Sequence, residues 1–126
     1  MIPRAFNKYT ELHTINSWNE LWGMNAIQPS YLPENNFIID DIIFASLYKT
    51  DSMICYFENV ISNKIQPSAV RREALGILGD HIFAFAKDLG FKIVLGWTNN
   101  KSVADTSFSH GMEITPYNYA TMIKIL

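Results

Sequence analysis

The feature that most constrains this chain is a double change in hydrophobic period around residues 62–92. Before it, residues 37–39, 42–48 and 53–61 are short apolar runs rich in Ile, Val, Phe and Tyr, separated by Asp40-Asp41 and by Lys49-Thr50-Asp51-Ser52. Such runs read as strands of an antiparallel meander. Then Val70, Ala74, Leu78, Ile82, Phe85 and Leu89 recur every three or four residues, with Pro67-Ser68 in front and Gly90 behind. That spacing predicts a helix over 68–89 with its own start and stop signals. Residues 91–97 return to a compact apolar run, Phe91-Lys92-Ile93-Val94-Leu95-Gly96-Trp97. A strand that follows a helical crossover lies parallel to the strand before it, so the meander must end in a βαβ unit.

The remaining elements follow from weaker signals. Ile15, Trp18 and Trp22 have helical spacing after Thr14, which predicts an amphipathic helix over 15–25 with Thr14 as cap and Gly23 weakening the last turn. Residues 28–36, rich in Pro, Asn and Ser, are a loop within one domain. Asn100 is suited to cap a second helix that runs to His110 and stops at Gly111, and residues 113–114 and 117–126 supply closing strands. With the N-terminal segment as the opening strand, the expected order is β-α-β-β-β-α-β-α-β-β, an α/β fold.

Composition narrows the function classes. A chain of 126 residues supports one core, and 48% hydrophobic with 17% charged residues excludes disorder. No apolar run reaches membrane-spanning length, and residues 1–5 lack a secretory pattern. A net charge of −2 with scattered basic residues argues against nucleic-acid binding. Cys55, the single cysteine, precludes an intrachain disulfide and reads as a core residue in a reducing, cytoplasmic compartment. His13, His81 and His110 are far apart and show no metal-ligand spacing, so no metal is expected.

The order of elements and the stretch 89–112 resemble the GNAT acyltransferases. The resemblance rests on Leu89-Gly90-Phe91 closing a helix, the strand to Trp97, Asn100 opening the next helix, and His110-Gly111-Met112, with Met112 where the family usually has Phe. It covers roughly residues 37–126 and implies a mixed, mostly antiparallel sheet with helices on both faces. It also implies that the strand ending near Ile61 and the strand over 93–97 splay apart at one end, that acetyl-coenzyme A is the cofactor, and that a small-molecule or protein amine is the acceptor.

In the family, pantetheine pairs with the freed strand edge and the pyrophosphate meets a helix N-terminus. By position the edge is Asn59, Val60 and Ile61, and the phosphate cradle is Ser68, Ala69, Val70, Arg71 and Arg72, with Asn100 at the facing helix. The plainer reading of Arg71 and Arg72 is a pair of solvated first-turn residues. The family's Gly-rich loop is reduced to Arg71, Ala74 and Gly76, and these fall inside the helical pattern. Glu58 is the candidate general base on the central strands, the alternative being an outward-facing strand residue. Ser107 stands where the family often has a Tyr that protonates the departing thiolate, and is a weak proton donor, so acid catalysis would need His110, another group or solvent.

Other positions have simpler explanations. Asp40-Asp41 reads as a two-residue hairpin turn. The resemblance offers Trp18, Trp22 and Tyr31 as lining for an acceptor site; Trp18 and Trp22 read rather as core, and Tyr31, between Pro29 and Pro33, as exposed near a ligand. The leading reading is an acetyl-coenzyme A-dependent N-acyltransferase. Its rival is a non-catalytic GNAT-like binding or structural protein, such as the short versions of the fold encoded by bacteriophages.

Overall fold

The computed structural model describes residues 1–113, 122 and 124–126. The closing strands expected over 113–114 and 117–126 fall largely on residues 114–121 and 123, outside the described residues. In chain order the elements are β1 (Arg4–Ala5), α1 (Leu12–Leu21), a single 3-10 turn (Pro29–Tyr31), β2 (Asn35–Ile39), β3 (Ile43–Tyr48), β4 (Ile54–Ser62), α2 (Ser68–Asp88), β5 (Ile93–Leu95) and α3 (Lys101–Ser109). The strands form one sheet in the order β1-β2-β3-β4-β5. The first three pairings are antiparallel and β4 to β5 is parallel, as the crossover helix requires.

Both faces of the sheet are covered, which explains why β3 is apolar almost throughout instead of alternating. Phe37, Ile39, Ile43, Ala45 and Leu47 face α2 and pack on Ala74, Leu78 and Ile82. Ile38 and Phe44 face the other way and pack on Ile15 and Trp18 of α1, together with Phe6 and Leu32. Ala74 and Ala86 let α2 lie close to the sheet, and α3 packs beside α2 with Val103 against the same core. The expected core stripe of α2 holds except at its end, where Leu89 is the exposed C-cap. Asp40, at φ 43°, and Asp41 form the turn between β2 and β3, but Ile42 joins them and β3 begins at Ile43. Cys55 is buried, and burial pushes its thiol above the usual range.

Helix α1 starts three residues earlier than the spacing predicts. Thr14 is inside the helix and caps nothing; the N-cap position is Glu11, whose carboxylate instead accepts from the Asn7 backbone N–H at 2.7 Å and pairs with Arg4 at 2.6 Å. That ion pair holds the Glu11 carboxyl below its ordinary range. Gly23 does more than weaken the last turn. At φ 72° it ends the helix, with its N–H on the Glu20 carbonyl and the Met24 N–H on the Asn19 carbonyl.

Gly90 closes α2 in the same way at φ 95°, and a Cβ there would meet no atom within 4 Å. The cost of Gly90→Ala is therefore conformational and not steric. It should lower stability by about 1 kcal/mol, seen as a lower urea midpoint at unchanged slope. A midpoint equal to wild type would show that the left-handed closure is not required.

Candidate functional site: a cleft at the open edge of β4

Strand β4 carries a bulge that the flanking side chains report independently. Opposite β3, Phe44 faces Ile61 and Ser46 faces Glu58, so one residue of β3 spans two of β4. The extra residue is Asn59, at φ 58°. Strand side chains alternate faces, so Phe57 and Ile61 should share one; instead Phe57 packs in the α2-face core and Ile61 in the α1-face core. Asn tolerates the left-handed region better than the β-branched residues around it.

Just before the bulge, β4 loses its second neighbour among the described residues. Pairing with β5 runs from Ile54↔Ile93 to Tyr56↔Leu95 and stops, while β4 continues to Ser62. Gly96 sits at the divergence, where a Cβ would come within 3.0 Å of the Phe57 carbonyl oxygen. A cleft of about 780 Å³ opens there, between Asn59, Val60, Ile61 and Ser62 on one side and Asn100, Ser102 and Val103 on the other. The side chain of Asn100 caps α3, its Oδ1 accepting from Val103 N at 3.2 Å.

The N-terminus of α2 forms the end of the cleft. Pro67 occupies the N-cap position and has no capping side chain, and no acidic residue lies in the first turn. The first backbone N–H groups of the helix are therefore left to solvent or to an anion. Ser68, Arg71 and Arg72 line the cleft; Ala69 and Val70, in the same turn, do not. Arg71 is held in place, with Nε donating to the Gln66 carbonyl at 3.0 Å and its guanidinium 5.3 Å from the Trp22 ring centre. Among the described residues neither arginine has a carboxylate partner.

Trp22 is a correction to the sequence reading. Trp18 is core at 4% exposure, but Trp22 is 41% exposed and lines the cleft. Because α1 ends at Gly23, Trp22 is the C-cap and its ring leaves the buried stripe. Its Nε1 donates to the Ser62 carbonyl at 2.8 Å, and Lys64 Nζ lies 5.0 Å from the ring. Tyr31, from the loop before β2, is exposed and lines the cleft as expected. The family resemblance offered Trp22 as an acceptor-side residue, but its helical spacing with Ile15 and Trp18 favoured the core.

No protein-family model and no curated protein sequence matches the chain. Solved structures do match it over nearly its whole length. A protein described as a probable acetyltransferase superposes with a TM-score of 0.76 at 14% identity, covering 99% of both chains. TTHA1254 of Thermus thermophilus gives 0.73 at 15%, covering 98% of this chain and 97% of its own. A probable acetyltransferase of Staphylococcus aureus gives 0.62 at 10%, covering 98% and 100%. The fold is GNAT-like.

Within the GNAT-like frame the candidate catalytic positions separate. Glu58 precedes the bulge, is half-buried and does not itself line the cleft; its Oε1 is buried with no hydrogen-bond partner among the described residues. Burial raises its pKa above the ordinary glutamate range, and the Trp97 backbone N–H pulls it part of the way back. It is not the solvated outward-facing residue of the plainer reading. Ser107 stands away from the cleft, at a cavity of about 10 Å³ between α2 and α3 with Phe57, Gly76 and His110. His110 Nδ1 lies 3.0 Å from both Asp80 carboxylate oxygens, and a Cβ on Gly76 would collide with the His110 ring. Gly76 thus serves helix packing inside α2, and the Arg71, Ala74, Gly76 register is not a loop. The Asp80–His110 pair, missed in sequence because 30 residues separate its members, ties α3 to α2.

No group of three His, Cys, Asp or Glu side chains is placed to hold a metal among the described residues, and no helix among them is long and apolar enough to cross a membrane.

Proposed function

We propose that this protein is an acyl-coenzyme A-dependent N-acyltransferase acting on an amine. The observation that carries the proposal is the coincidence, in one cleft, of a strand edge at Asn59–Ile61 that is unpaired among the described residues, an uncapped helix N-terminus, and two arginines without acidic partners among those residues. The donor set fits the cofactor. Backbone N–H and C=O groups along β4 suit an extended, amide-bearing pantetheine arm, and the α2 terminus with Arg71 and Arg72 suits a pyrophosphate. Bound there, acetyl-coenzyme A supplies an acetyl thioester for transfer to nitrogen.

The chain's own residues would then do three things. Arg71, braced by Gln66 and Trp22, and Arg72 hold the anionic end. The open edge of β4 fixes the reacting end and offers a backbone N–H toward the carbonyl oxygen, where negative charge grows. Glu58, one residue before the cleft-lining stretch of β4 and with a raised pKa, accepts through a bridging water the proton lost by the amine as the N–C bond forms and the C–S bond breaks. The coenzyme thiolate takes its proton from water, since Ser107 lies outside the cleft. Trp22 and Tyr31 form the wall facing the acceptor.

The test is ligand-induced stabilisation. Millimolar acetyl-coenzyme A should raise Tm, because a ligand that binds only the native state stabilises it by mass action. In Arg71→Ala/Arg72→Ala the affinity should fall on the order of a hundredfold, two charge-assisted contacts being lost. No Tm change in the wild-type protein would remove the acyl-coenzyme A reading. A shift that survives the double substitution would move the pyrophosphate elsewhere.

A further inference from the structure

The bulge beside the cleft is held by a polar junction centred on the Asn59 side chain. Asn59 Nδ2 donates to Tyr48 Oη at 2.7 Å and to Ser46 Oγ at 3.3 Å. Each hydroxyl passes the connection on. Tyr48 Oη donates to the Tyr31 carbonyl at 3.2 Å, while Ser46 Oγ donates to Asn36 Oδ1 at 2.7 Å, and Asn36 Nδ2 donates to the Pro33 carbonyl at 2.8 Å. Ser46 and Asn36 are almost completely buried, so their hydrogen bonds are not exchangeable for water without cost. Both branches end on backbone carbonyls of the loop that carries Tyr31. One amide therefore joins the floor of the cleft, at the bulge, to the wall facing it.

We infer that Asn59 is a positioning residue for the acyl-coenzyme A site: its left-handed backbone and its side-chain amide together set the direction of the Val60 and Ile61 backbone groups and tie them, through Tyr48, to the Tyr31 loop. The inference rests on the acyl-coenzyme A reading above and adds to it the group that shapes the edge. Glycine at position 59 would keep the backbone conformation, since it adopts φ > 0 freely, but would lose the junction. Alanine would lose both. Phenylalanine at position 48 would remove the shared hydroxyl with almost no change in volume, leaving Asn59 Nδ2 with only its longer bond to Ser46.

The experiment uses acetyl-coenzyme A itself as the probe, in calorimetric titration of the full chain, with amide NMR spectra and hydrogen exchange recorded on the ligand-free protein. Asn59→Gly and Tyr48→Phe are each expected to weaken affinity about fivefold to tenfold, the worth of one well-formed hydrogen bond transmitted to the edge. The double variant should be scarcely weaker than either single one, because both break the same connection. The Val60 and Ile61 amide signals should move, and their exchange should speed up, in the absence of ligand. A merely structural role would lower Tm without moving those amides or the affinity. If Asn59→Gly does not fold, Tyr48→Phe carries the test alone. Unchanged affinity and unchanged amides in a folded variant overturn this inference only. Absence of binding by the wild-type protein removes the acyl-coenzyme A reading and this inference with it.

Discussion

Glu58→Gln should cost acetyl transfer on the order of a hundredfold or more at neutral pH, the usual effect of losing a general base. The same substitution should stabilise the fold. Burial raises the Glu58 pKa above its value in the unfolded chain. Between the ordinary glutamate range and that raised value the native state binds more protons than the unfolded state, so stability falls as pH rises through the window. Above it the penalty of a half-buried carboxylate is fully present; below it both states are protonated and no penalty remains. Glutamine carries no charge and escapes the penalty. Its Tm should therefore exceed that of wild type at neutral pH, and the difference should vanish in acid. The wild-type rate should climb with pH through the same raised value as the base ionises, and the variant should lack that limb. A folded Glu58→Gln protein with turnover within about threefold of wild type would take the base away from Glu58. A variant without the stability gain would contradict the burial that makes Glu58 a base. Binding of acetyl-coenzyme A with no turnover in either protein would favour a non-catalytic role.

Phe44→Ala should lower stability by about 3–5 kcal/mol, the cost of removing a fully buried aromatic ring whose site collapses only in part. Phe44 has no exposed surface and meets Phe6 edge to face, with ring centres 4.8 Å apart. Around it lie Ile15, Trp18, Leu32, Ile38 and Ile61, so the ring joins α1, the loop before β2 and the far end of β4. A domain of this size has ~5–15 kcal/mol in total, and the loss should lower Tm by about 10–20 °C. Urea unfolding provides the measurement. Because Phe44 pairs with Ile61 beyond the bulge, the cavity should also loosen the cleft edge and weaken acetyl-coenzyme A binding in the protein that remains folded. A loss below about 1 kcal/mol would mean that the α1 face carries little of the core.

Much of the architecture was legible because it depends on local pattern. The period change between 61 and 68 marks the end of the meander, Pro67 and Gly90 bound α2, and the return to an apolar run forces β5 parallel to β4. Asn100 was readable as a cap because its side chain needs only a partner three residues on. Of the positions that the resemblance assigned to the open edge and the cradle, Asn59, Val60, Ile61, Ser68, Arg71, Arg72 and Asn100 line one cleft and Ala69 and Val70 do not; chirality of the crossover fixes where the end of β4 and the start of α2 lie. Boundaries were less secure: the start of α1 depends on Glu11 reaching Asn7 and Arg4, which no periodicity reports.

What the sequence by itself determined is the order of elements from β1 to α3 and the parallel pair, both consequences of short-range periodicity and stop signals, while the stretch of β4 that borders the cleft was legible only through the family resemblance. Only the tertiary structure decided the rest. The bulge at Asn59 is a one-residue offset against β3, invisible without the partner strand. Trp22 left the core because Gly23 ended its helix and Ser62, forty residues on, offered a carbonyl. Gly76 proved to be a contact for His110, and Glu58 acquired its raised pKa from neighbours brought over it by folding. Pattern within a segment specifies which face is apolar, whereas pKa, exposure and strand offset depend on groups that are distant along the chain and become neighbours only when the core closes.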